Sequence, residues 1–127
     1  MNPDTLKYTE EHEWIVEQRG VYIIGITEYA VEELGEITFV ELPELGKRLE
    51  RGEDAAVIES VKAASDVFAP VTGIVAEVND VLDMEPDLIN RDPYGKGWIL
   101  KLKDVNEEEY NELMDSRSYR GYLKTVE

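Results

Sequence analysis

Short apolar runs separated by Gly, Pro and polar breaks dominate the chain from Trp14 to Leu102, a rhythm that predicts strands rather than long helices. Trp14, Ile15 and Val16 make the first run, and Gln18-Arg19-Gly20 reads as a turn. Residues 21–26, rich in β-branched and aromatic side chains, predict a mostly buried strand. Thr27 is placed to cap a short helix over 28–34, with Glu28 favoured in its first turn, Ala30, Val31 and Leu34 on one side and Gly35 at its end. Residues 37–42 predict another strand, stopped at Pro43, and Gly46 and Gly52 punctuate the turns that follow.

The run at 55–70 reads as two strands meeting at a tight turn around Val61-Lys62. Beyond it, residues 73–78 repeat the Gly and β-branched spacing of residues 35–40, the mark of two similar halves flanking one hairpin. Residues 79–87 form a polar connection interrupted by Leu82 and Met84, 88–95 are rich in turn residues, and 97–102 predict a closing strand. From about residue 104 the pattern becomes helical. Asp104 or Asn106 can cap a helix that carries Glu107, Glu108 and Glu109 in its first turn and Tyr110, Leu113 and Met114 at packing spacing. A second short helix over 118–124 is weakened by Gly121, and its end is expected to fray. The reading is one domain, 1–127, mainly β with short peripheral helices and a helical tail.

Composition narrows the chemistry. With no cysteine and one histidine among 127 residues, neither a disulfide nor a thiolate metal site can form, and no structural metal is expected. His12 lies between acids with no nucleophile near it in sequence, which suits a surface or packing residue better than a catalytic one. No Ser-His-acid set or phosphate loop has the context an active site requires. The net charge of −16 disfavours nucleic acid and anionic membranes as partners. That charge suits partners with basic docking faces and equally suits a protein that merely needs to stay soluble. No twenty-residue apolar run or Arg-rich leader is evident, so a cytoplasmic protein, or a mature mitochondrial matrix protein in a eukaryote, is expected. Tyr94 and Trp98 read as core or loop anchors, since no basic groove accompanies them.

Lys62 is the candidate functional residue. It is the only cation in its window, its neighbours Ser60, Ala63, Ala64 and Ser65 are small, and a turn would hold its amine in water where an enzyme could acylate it. The surrounding Glu59-Ser60-Val61-Lys62-Ala63, then Ser65-Asp66 and Ala69-Pro70-Val71-Thr72-Gly73, resembles the lipoyl-attachment segment of glycine cleavage system H proteins. Further matches to that family are Tyr8-Thr9 with Glu11-His12-Glu13-Trp14, Gly25-Ile26-Thr27 with Tyr29-Ala30, Leu34-Gly35, Asn90, Asp92-Pro93-Tyr94 and Gly97-Trp98. Val61 precedes the lysine as in H proteins, where biotinyl domains have Met and other lipoyl domains usually Asp.

The resemblance implies a lipoyl-domain-like barrel-sandwich hybrid of two quasi-symmetric halves. It also implies lipoic acid joined to Lys62 as lipoyllysine, a swinging arm that carries the aminomethyl unit of glycine. Glu13 and Asp66 match acidic residues that hold the loaded amine, whereas Glu11 stands where some relatives have a smaller hydroxyl residue. The implied partners are a pyridoxal-phosphate glycine decarboxylase, a tetrahydrofolate-dependent aminomethyltransferase, dihydrolipoyl dehydrogenase and lipoate-attachment enzymes. The protein itself would be a monomeric, non-catalytic carrier. An H-like lipoyl carrier or relay for another pathway, or an unmodified interaction domain, are the alternatives.

Overall fold

A computed structural model describes residues 1–126; residue 127, the last of the tail expected to fray, lies outside the described residues. Among the described residues nine strands form two sheets: β1 (Lys7–Tyr8), β2 (Glu13–Gln18), β3 (Val21–Ile26), β4 (Ile37–Glu41), β5 (Arg48–Leu49), β6 (Asp54–Ser60), β7 (Ala64–Phe68), β8 (Gly73–Val78) and β9 (Leu100–Lys103). One sheet has the order β1-β2-β3-β9-β8-β5 and the other β4-β6-β7, with every neighbouring pair antiparallel. The two segments that share a spacing in the sequence open β4 and β8, one in each sheet.

Ile15, Ile24, Val75, Leu100 and Leu102 of the larger sheet meet Ile37, Val40, Ile58 and Val67 of the smaller one in a single apolar core. Each such side chain, removed from water, contributes about 1.5–3 kcal/mol before the entropy of ordering is counted. Trp14 heads a second cluster with Leu6, Tyr8, Ile23 and Tyr119. Its indole lies across Gly25 on the paired strand, where a Cβ would come within 2.6 Å of the ring, so only glycine fits there.

Thr27 caps α1 (Glu28–Leu34) as its sequence predicts, its hydroxyl accepting from the Ala30 N–H, and Gly35 ends the helix at φ +76°. Of the two candidate caps before α4 (Glu107–Asn111), Asn106 accepts from the Glu109 N–H, while Asp104 adopts a positive φ in the preceding turn.

Four local expectations are corrected. The tail helix stops at Asn111, and Met114, expected on it, instead bridges Tyr8 through paired backbone bonds. The polar connection 79–87 and the turn-rich stretch 88–95 each contain a single helical turn, α2 (Val81–Met84) and α3 (Leu88–Arg91), because Leu82 and Ile89 are fully buried. The closing strand starts at Leu100 rather than residue 97. The last helix, α5 (Ser116–Val126), runs straight through Gly121. Tertiary packing outweighs the glycine's poor propensity: Tyr119 is buried and stacks on Tyr8 at 4.4 Å, while Gly121 faces open space. Among the described residues no helix is long and apolar enough to cross a membrane.

Candidate functional site

β6 and β7 pair from Asp54↔Phe68 to Glu59↔Ala64 and leave Val61, Lys62 and Ala63 as the connecting turn. Lys62 is exposed, and Val61 beside it keeps 65 % of its surface in water. Ser60 shapes the turn. Its hydroxyl accepts from the Lys62 and Ala63 N–H groups, at 3.2 and 3.1 Å, and donates to the Ala63 carbonyl at 3.2 Å. The Ser60 N–H also donates to that carbonyl, at 2.8 Å. A side-chain oxygen thus satisfies donors that a three-residue connection would leave unpaired. On its outer side the turn is tied to β4 through the Val61 N–H, which donates to the Glu36 carbonyl at 3.0 Å. The stem of Lys62 lies along Gly35, where an added Cβ would meet its Cε at 3.1 Å.

A cleft of about 430 Å³ opens beside the far end of β7, between Thr9, Glu11 and Glu13 on one side, Phe68, Ala69 and Pro70 on another, and Leu113 and Met114 of the tail. Glu13 is only 2 % exposed although it starts a strand among acids. Its Oε1 accepts from the Thr9 hydroxyl at 2.6 Å and its Oε2 from the Phe68 N–H at 3.2 Å, joining β2 to the end of β7. Burial pushes the Glu13 carboxyl up to about 7, against the two hydrogen bonds that favour its charge. Arg51, on the cleft's rim, is engaged by Glu112 at 2.7 Å.

Of the residues that the sequence singled out, Glu13 lines the cleft and Lys62 and Asp66 do not. Asp66 is exposed on β7, on the same strand face as Phe68 and between the lysine turn and the cleft. His12 is a packing residue. It holds a positive φ of 71°, its Nδ1 lies 2.8 Å from the Tyr119 hydroxyl, and its ring centroid is 4.5 Å from that of Tyr29. Burial lowers its pKa, against the pull of Glu11 and Glu33. Tyr94 anchors a loop by accepting the Glu28 N–H on its hydroxyl.

The family model for the glycine cleavage H-protein matches residues 6–126. The chain belongs to the glycine cleavage H-protein family. It is 50 % identical over 123 residues to the glycine cleavage system H protein of Salmonella arizonae, covering 96 % of this chain and 95 % of that one. It is 51 % identical over 121 residues to that of Listeria monocytogenes, covering 95 % and 97 %. The crystal structure of a glycine cleavage system H protein from Mycobacterium marinum superposes with a TM-score of 0.86 at 37 % identity, over 97 % of this chain and 99 % of that one. The role is that of the family, a lipoyl carrier in glycine cleavage.

Two of the residues that build the lysine turn and the cleft were given no role in the sequence reading. Ser60 stood there as a small neighbour and within the matched segment, without a role of its own, although a hydroxyl residue opening a turn is a recognisable signal. Thr9 stood in a matched segment but was given no role; its bond to Glu13 depends on the backbone turn that returns the chain from residue 9 to 13.

Proposed function

We propose that Lys62 is the lipoyl-attachment residue and that the whole chain acts as one non-catalytic carrier domain. The observation that carries this reading is the presentation of Lys62 on a three-residue turn closed by Ser60, exposed and followed by small side chains. An attaching enzyme needs an amine it can surround, and Ala63, Ala64 and Ser65 put little bulk in its way.

The cleft fits the other end of such an arm. Phe68, Ala69, Pro70 and Met114 offer apolar walls to a sulfur ring, and Glu13 offers a carboxyl to an amine. Ala64 and Phe68 are four strand steps apart, roughly 13 Å at about 3.3 Å per residue, a span that a lysine lengthened by an octanoyl-sized chain can cover. When bound, the lipoyl group would supply a disulfide whose cleavage takes up the aminomethyl unit of glycine on one sulfur, and the dithiol left after release of that unit would be reoxidised by the dihydrolipoyl dehydrogenase.

The chain's own residues hold, shelter and charge-match. Ser60 fixes the direction in which Lys62 leaves the turn. Asp66 lies on the way to the cleft and attracts the cationic end of a loaded arm. Glu13 exchanges its proton for that cation, so that the buried carboxylate is charged only when paired. Packing the amine against Phe68 and Pro70 keeps water from it.

The partners in this reading are the pyridoxal-phosphate glycine decarboxylase, the tetrahydrofolate-dependent aminomethyltransferase, dihydrolipoyl dehydrogenase and a lipoate-attachment enzyme, visited by a monomer in the cytoplasm. Reconstitution tests it. With the three partner enzymes, the lipoylated chain should support glycine-dependent formation of NADH, and unmodified chain or Lys62→Arg should not. An equal rate with unmodified chain would remove lipoyl transfer from the account.

A further inference from the structure

Ser60 shapes the lysine turn from within, and the turn also leans on an outer contact. That contact, from the Val61 N–H to the Glu36 carbonyl, is only as firm as the corner at residues 35–37. That corner leaves α1 through Gly35, at φ +76° and ψ −150°, and enters β4 at Ile37. Such a backbone is open to glycine alone and does not stiffen itself.

Asn90 supplies the missing support. Its Oδ1 accepts from the Ile37 N–H at 3.0 Å, and its Nδ2 donates to the Gly35 carbonyl at 2.8 Å. One amide therefore spans the two backbone groups on either side of Glu36, and its donor and acceptor fit in one orientation only. Asn90 is itself fixed, because the preceding Ile89 is fully buried and seats α3 in the core. Neither contact touches the cleft or the tail.

We infer that Asn90 is a positioning residue for Lys62: it clamps the 35–37 corner that holds the lysine turn, and so sets how the amine is presented to the enzyme that acylates it. The inference rests on Lys62 being the acylated residue. Asn90 acts through two backbone links, from its amide to the corner and from the corner to Val61.

The test compares wild type, Asn90→Ala and Asn79→Ala by amide hydrogen exchange and by lipoylation kinetics with a lipoate ligase, lipoate and ATP. Asn79 makes a similar double tether, to the Lys96 and Trp98 carbonyls, neither of which belongs to the turn or to the 35–37 corner. Loss of the clamp should speed exchange at Ile37 and Val61 about tenfold, the scale of one or two lost hydrogen bonds. Exchange at Ile24 and Ile99 should stay within a factor of about two.

Lipoylation of Asn90→Ala should show a several-fold higher KM for the carrier with kcat nearly kept, because the enzyme must order the turn before acylating it. Asn79→Ala should lose comparable stability and change neither Val61 exchange nor KM. Should Asn90→Ala not fold, Asn90→Asp keeps the acceptor for Ile37 and sets an oxygen against the Gly35 carbonyl, so the same selective effect is expected from it. Uniform acceleration across all amides, or unchanged Val61 exchange and KM, would overturn the role. Failure of wild type to accept lipoate would instead count against the attachment reading, while the exchange result would still judge the clamp.

Discussion

Glu13 shows what the neighbourhood of a residue does to its chemistry. In the sequence it is one of several acids around His12, and solvation is its default expectation; in the fold it is buried and held by Thr9 and Phe68. Its carboxyl titrates at about 7 instead of the ordinary 4.5 because burial penalises the charge. The native state therefore holds this proton more tightly than the unfolded chain does. The stability it supplies is complete below about pH 4.5 and is lost as pH rises through about 7, amounting to roughly 3 kcal/mol by pH 8. Glu13→Gln mimics the protonated form, with its amide nitrogen donating to the Thr9 hydroxyl and its oxygen accepting from Phe68. Denaturant unfolding at pH 5 and pH 8 should show that this part of the pH dependence disappears in the variant. An unchanged dependence would mean that Glu13 is ionised in the folded state. At the turn, Ser60→Ala removes the acceptor for two N–H groups and should slow lipoylation several-fold, with a loss of about 1 kcal/mol in stability. A rate equal to wild type would show that the backbone alone shapes the turn.

At the scale of elements, the C-terminal helix does more than follow the domain. Tyr119 lies between His12 and Thr27, 2.8 and 2.9 Å from their polar atoms, and so ties α5 to the turn before β2 and to the cap of α1. Burial holds its phenol up at about 12, so it remains a donor. Donation to His12 with acceptance from Thr27 satisfies all three groups. Tyr119→Phe keeps the stacking on Tyr8 and deletes both bonds, so a loss of about 1–3 kcal/mol is expected by denaturant unfolding. A loss below about 0.5 kcal/mol would show that the stacking alone secures the helix.

The same element marks the limit of local reading. Strands with their own β-branched runs, such as β3 and β8, and the Thr27 to Gly35 helix were legible, since their signals are local. Continuation of α5 through Gly121, and the single turns α2 and α3, depend on burial of Tyr119, Leu82 and Ile89 against distant strands. Lys62 could be singled out as a candidate because its motif is contiguous, whereas the cleft joins residues 8–11, 13, 51–52, 68–70 and 112–114, which no window in the sequence brings together.

For the molecule as a whole, two sheets around one core hold the turn at one end of β7 and the cleft at the other, so a single strand separates them. The net charge of −16 surrounds this arrangement. If it guides docking to basic faces, association with the aminomethyltransferase should slow by at least about tenfold between low and high salt; a rate indifferent to salt would leave the charge a solubility device. The central claim is that Lys62 alone carries the lipoyl group. The direct measurement is the intact mass of wild type and Lys62→Arg after incubation with an active lipoate ligase, lipoate and ATP. A single lipoyl-sized increase in wild type and none in the folded variant is the predicted result. No increase in wild type, or an equal increase in both, would contradict it.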